Sequence, residues 1–271
     1  MMVITSKDNP RIKELAKLFS SRKYRRETGL FVIEGLRGCA DAVRDAAVYH
    51  QLSVTAVFFV KEAVEKSGEV FPEELLMQLG EDKCFEITEQ LAQRISDTGS
   101  CQGIFAVAKR VDKPFEGENI SQTGRYIVLD DLQDPGNLGT VIRTADAMGV
   151  DGVVLAGDCV DLYNPKTVRS AVGSLPRLDI FIEKDFERVT RVLKRRGVTT
   201  YAAVISGGEE VTKAGFQRGC AVVIGNEGRG LSDRDADLCD RRVTIAMKGH
   251  INSLNAATAA AILLWEMMRE Q

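Results

Sequence analysis

The strongest constraint on this chain lies at residues 129–147, LDDLQDPGNLGTVIRTADA. The apolar run 126–129 ends in a breaker-rich turn, Asp134-Pro135-Gly136-Asn137, and a helix-like period follows at once. Strand, tight polar turn and helix make the βα unit that sets polar groups at the carboxyl edge of a sheet. Arg143 falls one and a half turns into that helix. A fixed charge near loop amides meets a phosphate or another anion well.

The same unit recurs twice. Residues 221–224 feed Gly225-Asn226-Glu227-Gly228-Arg229-Gly230, and Leu231-Ser232 then starts a helix. Residues 242–245 feed a loop at 248–252, and Ser253-Leu254-Asn255 opens an apolar helix that reaches Trp265. Three such turns predict one composite site. By composition GNEGRG reads as a surface turn or as a ligand loop. Glu227, a carboxylate among glycines, favours the loop. Its order, G-x-x-G-x-G, is not the dinucleotide fingerprint, and no P-loop pattern occurs. The third segment reads as a core helix capped by Ser253, or as a further piece of the site.

From residue 125 onward, strand and helix alternate at short spacings. Strands are expected at 126–130, 152–156, 178–182, 199–204, 220–224 and 242–246, with helices at 138–148, 165–172, 185–196, 232–239 and 253–269. That pattern predicts an α/β domain over 125–271 with a mostly parallel sheet covered on both faces. Upstream, strands at 30–33, 54–60, 84–87 and 102–108 mix with helices at 38–47 and 72–79 and with one capped by Thr88. They outline a smaller α/β domain, 1–108. Residues 109–124, KRVDKPFEGENISQTG, are polar and aperiodic and read as a linker.

A net charge of −3 and 44% hydrophobic content are those of an ordinary globular protein. The most apolar stretch, 256–268, is too short for a membrane span, and the opening MMVITSKDNPRIKEL lacks the apolar core of a signal peptide. A cytoplasmic location with no membrane partner is expected. Six cysteines without a C-x-x-C and two distant histidines, His50 and His250, predict neither a disulfide framework nor a metal site. The small net charge hides a local excess. Residues 1–26 carry Lys7, Arg11, Lys13, Lys17, Arg22, Lys23, Arg25 and Arg26 against Asp8 and Glu14. This segment reads as an amphipathic helix with Ile12, Leu15, Leu18 and Phe19 inward. It also reads as an RNA-facing patch, with Arg22, Lys23, Arg25 and Arg26 around Tyr24.

Taken in order, the three turn segments resemble the signature motifs of the SpoU (TrmH-type) RNA ribose 2′-O-methyltransferases, a branch of the SPOUT superfamily. FVIEGLRGCADAV (31–43) and ITEQLAQRISDTGSCQGIFAVAKR (87–110) resemble the family's substrate-binding domain, an L30e/L7Ae-like α/β sandwich. The resemblance spans nearly the whole chain. It implies a SPOUT catalytic domain whose sheet carries a deep trefoil knot, a feature no pattern reveals. It implies S-adenosyl-L-methionine as methyl donor, without metal, contacted at Gly225, Ile245 and Leu254. Catalytic roles fall on Asn137, Arg143, Glu227, Ser253 and Asn255. Arg169 and Ser170, in VRSAVGS, match a recurrent Arg-Ser element assigned to the RNA substrate.

The implied reaction is methyl transfer to a ribose 2′-hydroxyl of structured RNA, ribosomal ahead of transfer RNA. A homodimer through the C-terminal domain is implied too, and helix 253–269, apolar nearly all round, suits such an interface. Asp134, Ala246 and Asn252 stand where the family commonly has Asn, Pro and Glu. None of these departures removes Asn137, Arg143, Glu227 or Asn255. Two alternatives share the scaffold: a non-catalytic RNA-binding protein and a SPOUT base methyltransferase.

Overall fold

The computed structural model describes residues 2–48, 52–67, 79–96, 98–99 and 101–269. They fall into two compact units, Met1–Val111 with Tyr163–Arg177, and Asp112–Leu162 with Leu178–Gln271. No helix among the described residues is long and apolar enough to cross a membrane.

The first unit runs β1 (Met2–Ile4), α1 (Pro10–Ser20), α2 (Arg22–Thr28), β2 (Leu30–Glu34), α3 (Leu36–Val48), β3 (Val54–Phe59), α4 (Lys61–Lys66), β4 (Cys84–Ile87), α5 (Glu89–Ile95) and β5 (Ile104–Lys109). Its sheet has the order β1-β4-β3-β5-β2. β1, β4 and β3 are parallel, and β5 is antiparallel to both its neighbours. All but the last residue of the helix expected at 72–79 lies outside the described residues.

The basic N-terminal segment is two helices, not one. Asn9 caps α1 and Pro10 opens it, and the inward stripe is Ile12, Leu15, Leu18 and Phe19 as the period predicts. Ser21 ends α1 and caps α2 by accepting the Tyr24 N–H at 3.1 Å. Arg25 corrects the expected RNA patch. It is only 4% exposed, and its Nη1 donates to the carbonyls of Leu18 and Phe19 at 2.5 and 3.0 Å. Those are the open carbonyls at the end of α1, so Arg25 closes a helix rather than meeting RNA.

The first unit also draws in a later segment that linear reading placed in the catalytic domain. The helix Pro165–Ala171 packs on β2. The Tyr163 ring sits 4.7 Å from that of Phe31, and its hydroxyl accepts the Val111 N–H at 2.7 Å.

The helix Pro165–Ala171 is α7 in chain order, and the second unit comprises β6 (Arg125–Asp130), α6 (Pro135–Met148), β7 (Gly152–Ala156), β8 (Asp179–Glu183), α8 (Phe186–Arg195), β9 (Thr199–Ala203), β10 (Glu209–Glu210), β11 (Cys220–Ile224), α9 (Asp233–Asp237), β12 (Arg241–Thr244) and α10 (Ala256–Met268). Seven strands pair in parallel in the order β10-β12-β9-β11-β6-β7-β8. From β6 the sheet grows one way through β7 and β8, and from β11 it grows the other way. Adjacent β6 and β11 therefore flank a topological switch point, and their carboxyl ends open a crevice.

One face of this sheet packs Tyr126, Val128, Phe181, Ala221 and Val223 against Phe186, Val189 and Leu193 of α8. The expected linker is corrected here. Phe115 and Ile120 are buried in the same core, and the Lys113 N–H bonds the Ile180 carbonyl at 2.8 Å. Two apolar anchors in a polar run make no period, so only tertiary packing reveals them.

Candidate active site

Each wall of the crevice follows from local chemistry. Asp134 caps α6 by accepting the Asn137 N–H at 2.8 Å, Pro135 presets the first turn, and Gly149 ends the helix at φ 73°. This fixes 131–137 as a tight loop above β6. Above β11, the Asn226 carbonyl accepts the Gly230 N–H at 2.8 Å, and its side-chain oxygen accepts those of Gly228 and Arg229 at 2.9 and 3.2 Å. At Gly225 a Cβ would stand 2.3 Å from the Gly230 carbonyl carbon, so only glycine lets the loop close.

Glu227 joins the two loops. Its Oε1 accepts the Asp134 N–H at 2.8 Å and Asn137 Nδ2 at 3.2 Å, and its Oε2 accepts the Gln133 N–H at 3.0 Å. Asn137 Oδ1 in turn accepts Asn255 Nδ2 at 3.0 Å. Asn255 Oδ1 caps α10 by accepting the N–H groups of Ala257 and Thr258 at 2.9 and 3.3 Å. The three segments thus form one continuous hydrogen-bonded chain. The cap is Asn255, not Ser253, because the chain turns helical two residues later than the sequence period suggests.

The electrostatics follow from these partners. Partial burial pushes the Glu227 carboxyl up, but the Gln133 and Asp134 amides, its own amide and Asn137 outweigh that and hold it below the ordinary carboxylate range. Asp130, at the end of β6, has the opposite environment. Burial pushes it up to about 6, with Asp131 and Asp235 adding and Arg229 opposing.

Asp131, Asn226 and Arg229 also hold the crevice, though the sequence reading passed over them. Asn226 Nδ2 donates to the Asp131 carbonyl at 2.9 Å, the Asp131 carboxylate accepts the Asp158 N–H at 2.7 Å, and Arg229 pairs with it. Asp131 sits at φ 55°, a left-handed turn that Asp tolerates. Consecutive aspartates at a strand end, before a turn, were the available signal.

Beside Glu227 lies an apolar pocket walled by Ile224, Gly225, Ile245, Met247, Leu254 and Leu263, with Ser253 also on its rim. The structure therefore gathers Gly225, Glu227, Ile245, Ser253 and Leu254, and ties Asn137 and Asn255 to them. Apolar walls beside an exposed polar backbone loop fit a nucleoside-bearing ligand.

Arg143 stands apart. It is exposed on α6, ~9 Å of helix rise beyond Asn137 and on another face, with no hydrogen bond or ion pair among the described residues. Arg169 belongs to the first unit, where its Nη1 donates to Glu34 at 2.8 Å. Half-buried Ser170 follows it. Arg22, Lys23 and Arg26 are exposed on α2, with Lys23 3.8 Å from Glu27.

A parallel sheet with its site at the switch point, closed by three loops that bond to one another, defines the class. Residues 124–265 match the SpoU rRNA methylase family, and residues 9–106 match the MRM3-like substrate binding domain. The chain belongs to the SpoU rRNA methylase family. It is 30% identical to the 23S rRNA (guanosine(2553)-2′-O)-methyltransferase RlmP of Bacillus subtilis, over 98% of this chain and 99% of that one. The AdoMet-bound rRNA methyltransferase of Sinorhizobium meliloti superposes with a TM-score of 0.83 at 28% identity, covering 98% of this chain and 96% of that one. The SpoU methyltransferase AviRb of Streptomyces viridochromogenes, in complex with AdoMet, gives 0.83 at 27% identity, covering 96% and 97%. These matches bear out the resemblance read from the three motifs.

Proposed function

We propose that this chain methylates a ribose 2′-hydroxyl of ribosomal RNA, with S-adenosyl-L-methionine as donor. The observation that carries the reading is the Glu227–Asn137–Asn255 chain, which braces all three motif loops around one apolar pocket. Gly225, Ile245 and Leu254 would hold the donor there. When bound, it supplies an electrophilic methyl group ready for in-line displacement.

The remaining tasks are to align the hydroxyl and let its proton leave. Glu227 is poorly suited to take that proton, since three loop donors occupy its oxygens and its pKa is depressed. It orders the loops instead. Arg143, with its planar fork of N–H donors, would position the hydroxyl and the neighbouring RNA phosphate, which can assist proton departure.

Arg143 lies off the network, which supports a two-fold homodimer in which it serves the partner's site. α10 supports the same assembly: Trp265 on it is 58% exposed. The trefoil knot, a cytoplasmic setting, an RNA-binding role for the first unit and contacts from Arg169, Ser170, Arg22, Lys23 and Arg26 complete the reading.

The test is transfer of labelled methyl from S-adenosyl-L-methionine to protein-free 23S rRNA, with the product mapped at nucleotide resolution. A single 2′-O-methyl ribose is expected. Methyl on a base, or donor binding without transfer to any RNA, would replace this reading with one of its alternatives.

A further inference from the structure

Outside the crevice, α8 carries a cationic cluster that the activity leaves unused. Arg188, Arg191 and Arg195 follow one another at spacings of three and four, so they share one helical face. With Arg196 they line a cleft of ≈ 420 Å³, closed on the other side by Glu116 and Gly117. Arg188 is neutralised within the fold, bonded to both Glu116 oxygens at 2.9 Å and paired with Glu183. Arg196 is anchored by its Nε to the Ile120 carbonyl at 3.0 Å, which engages no carboxylate. Arg191 and Arg195 are exposed. None of Arg191, Arg195 and Arg196 has an ion pair among the described residues.

Like charges four residues apart on a helix repel, and no ion pair among the described residues neutralises Arg191 or Arg195. A concave cleft focuses their field. Guanidinium groups held this way match phosphate oxygens, each presenting paired donors. The cleft is also separate from the methyl-transfer pocket, since the two share no lining residue.

The geometry points to a second RNA-docking site on the catalytic unit: the α8 cleft grips the phosphate backbone of the substrate RNA through Arg191, Arg195 and Arg196. This rests on the RNA methyltransferase reading above and adds a contact that the motif loops do not supply. Phosphate contacts of this kind set affinity and orientation without reading sequence.

The experiment compares the full-length protein with R191A/R195A and with R195E, using protein-free 23S rRNA across a salt series. The expected result is a KM for RNA raised about tenfold or more in the double variant, with its log–log salt slope shallower by about two. kcat at saturating RNA and affinity for S-adenosyl-L-methionine should stay unchanged. R195E should shift KM the same way and guards against misfolding of the double variant. K213E, which removes an exposed lysine outside the cleft, should leave KM for RNA alone. An unchanged KM and slope in both cleft variants, beside an active wild type, overturns the docking site alone. A wild type that methylates no RNA overturns the functional reading and this site with it. Selective loss of polyglutamate binding, with RNA kinetics intact, would assign the cleft to an acidic protein instead.

Discussion

The first turn of α6 and the exposed stretch beyond it are built on opposite principles. Its first turn is fully engaged: Asp134 caps it, Asn137 bonds Glu227 on one side and Asn255 on the other, and Glu227 holds the loop before it. Nearly two turns on, Arg143 stands exposed, with no side-chain hydrogen bond or ion pair among the described residues. A hydrogen-bonded cluster of this kind is pre-organised before any ligand arrives, whereas an exposed guanidinium waits for a partner. The contrast teaches that the described residues brace the three motif loops among themselves and leave the Arg143 guanidinium open to solvent.

Breaking the exposed end should give the largest effect. R143A is expected to lower methyl transfer by about 10²–10³-fold while leaving the melting temperature and donor affinity near wild type. Steady-state kinetics with calorimetry checks both halves, and near-normal turnover would remove Arg143 from the mechanism. The comparison sharpens if two defective chains are mixed. R143A and E227A should each be nearly inactive, yet their mixture should recover about a quarter of wild-type activity, one intact site in half the dimers. No recovery after subunit exchange would mean that each chain completes its own site.

Breaking the engaged end should cost structure as well as rate. E227Q replaces an ionised acceptor of three donors with an amide that can satisfy only part of them. Because Glu227 is exposed and solvent screens its bonds, a loss of about 1 kcal/mol of stability or less is expected, together with weaker donor binding. The pH sign follows from the depressed carboxyl. The wild-type advantage over E227Q should be present above the unfolded carboxylate pKa, and it should fade as pH drops through the lower folded value. A pH-independent difference would contradict that account.

Asp130 should show the reverse pH dependence. Its carboxyl is raised to about 6, so its charge opposes folding above that pH. The favourable contribution of a raised group is complete below the unfolded pKa and is lost as pH rises through the folded one. D130N should therefore gain on the order of 1–2 kcal/mol at pH 8 and close to nothing at pH 4. Denaturant unfolding at the two pH values decides it, and destabilisation at pH 8 would show that the charge is wanted.

Much of the catalytic unit was legible without coordinates, because its signals are local. The strands at 152–156 and 220–224 appear with those bounds, and Thr88 caps a helix as expected, whereas α6 begins at Pro135, inside the run read as a turn before a helix at 138–148. Capping and alternation act between residues a few places apart, so the order of residues carries them. The same order carried the three motif loops and, through them, the family. Whether neighbours in space agree with neighbours in sequence is another matter. Arg25 looked like one of four basic residues around Tyr24, but its guanidinium turns inward to the Leu18 and Phe19 carbonyls at the end of α1. Residues 109–124 looked like a linker until Phe115 and Ile120 found a core formed by strands far along the chain. The α8 arginines carry no linear signal of the cleft they form with Glu116 and Gly117, about seventy residues upstream. Burial and long-range pairing come from contacts whose partners lie tens of residues away, and a linear pattern holds no record of them.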